Sequence, residues 1–494
     1  MASIANNPIN ETLPSQKSAK TGDYSIYQRG DSKPESPICY KVLLINVCYP
    51  YPVVTEGAFA GINKIWQPLE LAYALAKLKG RGHDARLLDS NALRVKPEKT
   101  GEYAEEYDLI FVSSTSYDRW ECPHLNLKPT VETIKSIKKA NKNAVVIIVG
   151  SHGSVRPKEM IDETGADAVL VGEPEDAIPE IADSKDWKKT PGIAYVEEGK
   201  LSCNERTTSV GLDSLPLPDF SDLPMKRYFM DLLGGDFAVL EASRSCPFNC
   251  NYCLKKMFGT YRRKSFKKLK SEIEYVMKEY KVKKINFVDL EFTVNRKLVE
   301  ELCDWMIKDR INLKWSCQTR LDSVDEKLLR KMKDAGCRYV MYGVESGSQK
   351  IIDYIGKNIT LEDFRKGMTA TKEAGLGSVC FFMFGFPGET DEDREKTVEL
   401  ALELDPDYAS FFLVRPYPGT RCFDEVTSYS PGLFPHAIGS DEEILKLKRY
   451  CDRAFSRYYY RPKTILRRLL SGELGVIGFQ IKVFLYKVGV LHED

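Results

Sequence analysis

The chain has 494 residues, 43% of them apolar, which supports two or three buried cores and excludes a chain disordered throughout. Lysine and arginine number 72 against 71 aspartates and glutamates, and a net charge of +1 gives no reason to expect nucleic-acid binding. Thirteen cysteines are too thinly spread for a disulfide-stapled fold, and no stretch approaches the ~20 apolar residues of a membrane helix. With no basic-then-apolar leader, the expected location is cytoplasmic.

Residues 1–36, rich in Asn, Ser, Lys, Pro and Gly, read as a disordered tail. From Lys41 strands and helices alternate: strands are predicted over 42–47, 85–89, 109–113, 145–149 and 168–171, with an amphipathic helix from Pro68 to about Gly80. Continuous apolar strands between helices argue for a parallel sheet covered on both faces, a Rossmann-like α/β domain over 37–190. Such sheets take ligands at the carboxyl ends of their strands. That singles out Ser113, Ser114, Thr115, Gly150, His152, Gly172 and Glu173. Glycines there let backbone approach a large flat ligand, and hydroxyls can bond its polar edge. His83 reads as a capping or surface residue. Residues 191–235, containing Leu215-Pro216-Leu217-Pro218, read as a proline-stiffened linker.

The alternation resumes at Phe237, with strands predicted over 237–241, 284–289, 313–320, 338–343, 378–384 and 408–413 and helices over 266–280 and 296–308. Six such units make a partial (β/α)6 TIM barrel over 236–430, whose site is built by loops at the strands' carboxyl ends. After its first strand come Cys246, Cys250 and Cys253, spaced C-x3-C-x2-C. Iron–sulfur clusters are held by thiolates on tight loops, and three thiolates on a four-iron cluster leave one iron open. Zinc or three unrelated thiols are the alternatives, but zinc sites pair two short hooks and no second hook lies nearby. Gly343, Glu345 and Ser346 follow the fourth strand, Gly385 the fifth, and Asp289, Gln318 and Arg320 end strands on the same rim. An ordinary ion pair of Arg320 with Asp289 or Glu345 is the plainer reading of that rim. Cys317 and Cys380, on strands, read as small core residues. Residues 431–494 read as a helical C-terminal region. Its basic and apolar stretches, 465–470 and 479–487, suit a membrane surface or, in the preferred reading, a lid packed on the barrel.

The cysteine spacing, with Tyr252 just before the last cysteine, resembles the signature of radical S-adenosylmethionine (SAM) enzymes. Gly150-Ser151-His152 after one strand and Gly172-Glu173-Pro174-Glu175 after the next resemble the cobalamin (B12) domain fused to the class B members of that family. The resemblance covers nearly all of 41–470. It implies a [4Fe-4S] cluster on Cys246, Cys250 and Cys253, with SAM chelating the open iron. It places Tyr252, Gln318, Arg320, Gly343, Glu345, Ser346 and Gly385 around SAM, and Ser113, Ser114, Thr115, Gly150, His152, Gly172 and Glu173 around cobalamin. One departure stands out: the Asp-x-His-x-x-Gly motif that supplies an axial histidine elsewhere is absent, so the cobalt should lack a histidine, with 118–120 a candidate cover for its lower face. The implied activity is methyl transfer from SAM, by way of cobalamin, to an unactivated carbon or similar centre, with hydrogen abstraction by a deoxyadenosyl radical. An external one-electron reductant of ferredoxin or flavodoxin type is implied too. Two alternatives are an oxidative cyclase without net methyl transfer and a cluster- or cobalamin-based sensor. The apolar, aromatic C-terminus leans towards a hydrophobic small-molecule substrate.

Overall fold

The computed structural model describes residues 40–49, 64–184, 186–205, 209–230 and 232–470; the expected tail over 1–36 and the stretch 479–487 lie outside them. The first sheet is built on β1 (Lys41–Asn46), whose Val42, Leu43, Leu44 and Ile45 are all fully buried. It pairs in parallel with β2 (Asp84–Asp89) on one side and β3 (Leu109–Ser113) on the other, Leu44 lying opposite both Leu87 and Phe111. Then follow β4 (Val145–Val149) and β5 (Ala168–Leu170), also parallel, and the antiparallel β6 (Ile193–Glu197) and β7 (Lys200–Cys203), giving the order β2-β1-β3-β4-β5-β6-β7. The connecting helices are α1 (Leu69–Gly80), α2 (Lys128–Ala140), α3 (Ser151–Val155), α4 (Pro157–Thr164) and α5 (Pro174–Asp183).

Alternate side chains of a strand point to opposite faces, and here the two faces feed two cores. Val42 and Leu44 share a cluster with Phe111, Ile147 and the α1 residues Leu71 and Leu75. Leu43 and Ile45 share another with Ile110, Val112, Ile148 and the α2 residues Ile134 and Ile137. The sheet is therefore wound on both faces, and the strand order reverses between β1 and β3, where such sheets open a crevice at their carboxyl ends.

The proline-containing stretch is not a free linker. The first sheet runs past residue 190 through β6 and β7, and Leu212, Leu215, Phe220, Tyr228 and Met230 are buried. Phe220 N–H donates to Tyr280 Oη (3.0 Å) and Asp219 N–H to Ala72 O (3.1 Å), so the segment straps both halves together. His83 is likewise no surface residue: it is buried, with Nε2 2.9 Å from Asp183.

The second sheet holds β8 (Phe237–Leu240), β9 (Lys284–Phe287), β10 (Lys314–Thr319), β11 (Cys337–Glu345), β12 (Gly377–Phe384) and β13 (Tyr408–Leu413), parallel and in chain order. Helices α6 (Phe266–Glu279), α7 (Arg296–Lys308), α8 (Glu326–Asp334), α9 (Leu361–Glu373) and α10 (Asp391–Leu404) wrap it, and Cys317 and Cys380 are buried inside. An open barrel has two edge strands whose peptide groups need partners. On the β8 edge, the buried Gln67 amide donates to Phe237 O (2.8 Å) and accepts from Val239 N–H (3.1 Å). On the β13 edge, the Tyr459 hydroxyl donates to Ala409 O and accepts from Ala409 N–H, both at 2.8 Å. Each such buried bond contributes about 1 kcal/mol. Tyr459 ends α11 (Asp441–Tyr459), which starts at a Ser440–Glu443 capping box and leads to α12 (Pro462–Leu470). The helical C-terminal region thus covers the far edge of the barrel.

Candidate active site

The cysteine loop is a closed excursion from the end of β8. Residues 243–244 pair antiparallel with 262–263 and form its base. Ser245, at φ 70°, turns the chain and donates its hydroxyl to Gly259 O (3.0 Å). Inside the loop the Lys255 ammonium donates to Cys246 O (3.2 Å), Asn249 Oδ1 (3.1 Å) and Phe248 O, a knot of three acceptors around one cation. Asn251 anchors the outside, donating N–H to Ile355 O (2.9 Å) and its amide to Tyr354 O (3.0 Å), while Cys422 N–H donates to Asn251 O (3.0 Å). All three cysteines are partly buried at the rim. Burial pushes each above its ordinary pKa, Cys253 furthest, helped by the neighbouring Cys250 and Cys246. Among the described residues no three His, Cys, Asp or Glu side chains are already gathered as a ligand set.

Tyr252 reaches from this loop to the other two. Its ring packs edge-on to Phe386 (5.6 Å), and burial together with the neighbouring Glu345 carboxylate holds the phenol well above its usual range. Glu345 ends β11 at φ 70°, buried, with Oε1 3.2 Å from Lys357 Nζ. Gly343 makes room for that pair: a Cβ there would stand 2.3 Å from Glu345 Oε1 and 3.2 Å from Lys357 Nζ. Gly385 has φ 99°, and its N–H donates to Glu389 Oε2 (2.6 Å); a Cβ would meet Leu447 of α11 at 2.9 Å. Gln318 is partly buried on the rim, and its side chain makes no hydrogen bond to the described residues.

Arg320 pairs with neither Asp289 nor Glu345. Its guanidinium chelates Asp322 (2.8 and 2.7 Å), donates to Lys357 O (2.8 Å) and lies 3.9 Å over the Phe248 ring. Asp289 instead accepts from Ala242 N–H (2.9 Å) and the Ser243 hydroxyl (2.6 Å) and is raised to about 6 by burial. Ser346 turns away from the mouth, its hydroxyl fully buried 3.1 Å from Thr397 Oγ1. Sequence reasoning missed Phe248, Lys357 and the buried Glu291, raised to about 7 by burial; no motif marks them.

At the first sheet the expected ligand residues do lie together beyond β3, β4 and β5, but their polar atoms are largely spent. Ser113 Oγ donates to Thr115 O (3.1 Å) and Ser114 Oγ to Val149 O (3.2 Å). Thr115 Oγ1 is 2.9 Å from His152 Nδ1, and His152 Nε2 is 2.6 Å from His124 O. His152 is fully buried against Phe434, and desolvation lowers its pKa to about 4. Gly150 crosses the Thr115 backbone, where a Cβ would sit 2.9 Å from the carbonyl; beside Gly172 there is open space. Glu173 accepts from Val210 N–H (2.7 Å) and Arg262 (2.9 Å), the latter beside the cysteine loop. Of 118–120, Trp120 is fully buried, with Nε1 donating to Thr115 O (3.2 Å). The two edges meet directly where Arg262, at the base of the cysteine loop, donates to Glu173 beyond β5, and Leu254 of that loop belongs to the same apolar cluster as Val47, Tyr49, Tyr417 and Phe434.

A B12 binding domain model matches residues 57–182 and a radical SAM superfamily model residues 240–401. An uncharacterized methyltransferase of Pyrococcus horikoshii is 30% identical over 467 residues, covering 90% of this chain and 97% of its own. An anaerobic magnesium-protoporphyrin IX monomethyl ester cyclase of Cereibacter sphaeroides is 26% identical, covering 87% and 74%. Among solved structures, the radical SAM methyltransferase TsrM from Kitasatospora setae, with cobalamin and a [4Fe-4S] cluster bound, superposes with a TM-score of 0.64 at 19% identity, covering 78% of each chain. The cobalamin-dependent SAM radical enzyme OxsB gives 0.68 at 16%, covering 91% of this chain and 72% of the other; both share the fold described above. With both domains matched in this order and a full-length relative at this identity, the chain belongs to the cobalamin-dependent radical SAM enzymes.

Proposed function

We propose that this enzyme transfers a methyl group from SAM, by way of cobalamin, to an unactivated carbon or similar centre of a hydrophobic small molecule. The observation that carries this is the meeting of the two carboxyl edges, with Arg262 at the base of the cysteine loop bonded to Glu173 beyond β5 and Leu254 in one apolar cluster with Val47 and Tyr49. When bound, the cofactors supply the chemistry: reductive SAM cleavage to a deoxyadenosyl radical at the cluster, and methyl delivery at cobalt.

The donor sets fit these groups. Cys246, Cys250 and Cys253 stand on one loop that holds no fourth cysteine, which suits three cluster irons and leaves the fourth for SAM. Their raised pKa values mean that ligation displaces protons. Glu345, seated by Gly343 and Lys357, would accept from the SAM ammonium or ribose hydroxyls, with Tyr252 and Phe386 shielding it from water. Arg320 and Ser346 act through other residues, Arg320 by bracing Phe248 and Ser346 by packing on α10. At the first sheet, the spent His152 suits a cobalt without a histidine ligand, and Gly172 borders open space for a large ring.

The experiment is anaerobic cluster reconstitution, addition of hydroxocobalamin, desalting, and an absorbance spectrum, followed by product analysis. Bound cobalamin, with S-adenosylhomocysteine and 5′-deoxyadenosine both formed, supports methyl transfer. Deoxyadenosine alone would favour a cyclase, the reading that the similarity to the Cereibacter sphaeroides enzyme supports. No SAM cleavage at all would leave a sensor. An external ferredoxin- or flavodoxin-type reductant completes the proposal.

A further inference from the structure

We propose that Arg244 is a positioning residue that couples the two cofactor edges, so that filling one alters the affinity of the other. This rests on the functional reading above. Arg244 lies two residues before Cys246, on the short ladder that closes the base of the cysteine loop, and is 1% exposed. On its own side it forms a bidentate pair with Glu241 (3.0 and 2.7 Å). From the first domain, Glu175 approaches to 2.7 Å and Glu173 to 3.3 Å, both following β5. The rings of Tyr117 and Trp120, which follow β3, lie 5.1 and 5.6 Å from its guanidinium carbon, and Tyr117 also donates its hydroxyl to Glu241. Two ligand-edge loops of one domain therefore grip a single side chain whose backbone carries the cysteines of the other.

A buried ionic network is a costly way to join two domains, since apolar packing of equal volume is often as stable or more so. This one is also incompletely bonded. Glu175 lies at ion-pair distance from Arg244, yet among the described residues neither of its oxygens, nor Arg244 Nη1, nor Glu70 Oε2 beside the same loops, has an aligned hydrogen-bond partner. A fully satisfied network has one arrangement; spare buried valences allow a second when a neighbouring loop shifts. A ring settling beside the loops that follow β3 and β5 would move Tyr117, Trp120, Glu173 and Glu175 together, and Arg244 would carry that shift to Cys246.

Coupling is reciprocal and measurable as a ratio of affinities. The test titrates hydroxocobalamin, by absorbance, into cluster-loaded and cluster-free protein, and records the EPR spectrum of the reduced cluster before and after cobalamin. The native chain should bind cobalamin about fivefold or more tighter when the cluster is present, and its EPR signal should shift on cobalamin addition. Glu175→Gln and, on the other side of the contact, Arg244→Lys should bring the ratio to about one and abolish the shift, with iron content unchanged. If Arg244→Lys fails to fold, Glu175→Gln decides alone. A variant that keeps the native ratio and shift overturns the proposal, as does a ratio of one in the native chain. Failure of the native chain to retain cobalamin in either form overturns the functional reading and the coupling with it, whereas equal affinities overturn the coupling only.

Discussion

The two carboxyl edges that face each other are built on opposite plans. At the barrel mouth the three cysteines are only partly buried, the Gln318 side chain makes no hydrogen bond to the described residues, and Glu389 Oε1 is buried with no hydrogen-bond partner among them. At the first sheet Ser113, Ser114, Thr115 and His152 are buried and bonded to one another or to backbone. On the proposed reading, ligands at the barrel mouth would be held through side chains left open for them. The first sheet offers a platform whose hydroxyls are bonded within it, so a ligand there would meet main chain, open space at Gly172 and apolar surface.

The largest effect that tests this contrast is at the thiols. Replacing Cys246, Cys250 or Cys253 by Ala should remove the iron and abolish SAM cleavage, while cobalamin still travels with the protein on desalting. Loss of cobalamin as well would mean that the platform depends on the loop for its shape. Next comes Gly343→Ala, whose added methyl would stand 2.3 Å from Glu345 Oε1 and displace that carboxylate. SAM affinity measured by equilibrium dialysis should fall about tenfold, or ~1.4 kcal/mol, with iron content unchanged. An unaltered affinity would place SAM away from Glu345.

His152 tests the other edge. Its pKa is lowered from 6.5 to about 4 by burial, so between those values the unfolded chain binds a proton that the folded chain refuses. Stability from this group is complete above pH 6.5 and declines as pH falls towards 4, by about 3 kcal/mol at most. Glu70 works in the opposite sense: burial raises it from 4.5 to about 8, so the folded state keeps a proton that the unfolded chain releases, and stability declines as pH rises through that window. His152→Gln should flatten the acid-side fall in the urea midpoint, leave the decline towards pH 8, and leave cobalamin affinity unchanged. Weakened cobalamin binding in that variant would return His152 to the ligand shell.

What could be read from the chain and what could not follows the same divide. The strands of both sheets were legible because buried parallel strands are near-continuous apolar runs, and the C-x3-C-x2-C loop because ligation demands those atoms at that spacing. Hidden from view were the partners. A serine or threonine at a strand end looks alike whether it bonds a ligand or a neighbouring carbonyl, as Ser114 does with Val149 O. Glu173 kept its place but joins Arg262, and the stretch over 191–235 turned out to be a strap because its buried Leu212, Leu215 and Phe220 outweigh its prolines. Arg244 stood in plain sight beside Cys246, yet nothing local says that its partners come from a domain some seventy residues earlier.

The smallest expected effect is the sharpest on side-chain direction. Ser346 lies next to Glu345 in a loop that resembles a SAM-contacting segment, so sequence alone gives the two residues equal standing. In the fold Glu345 turns to Lys357 and Tyr252, while the Ser346 hydroxyl is fully buried beside Thr397, whose Oγ1 also accepts from Gly347 N–H (2.9 Å). Ser346→Ala removes two bonds of that buried set, to Thr397 Oγ1 and from Ser348 N–H (3.2 Å), and leaves the mouth untouched. Stability should drop by about 1 kcal/mol, read as a small fall in the urea midpoint. SAM affinity and the rate of deoxyadenosine formation should stay within about twofold of the native values, less than ~0.5 kcal/mol. A large loss of SAM affinity with unchanged stability would turn the hydroxyl towards the mouth, and the contrast between neighbours 345 and 346 would disappear.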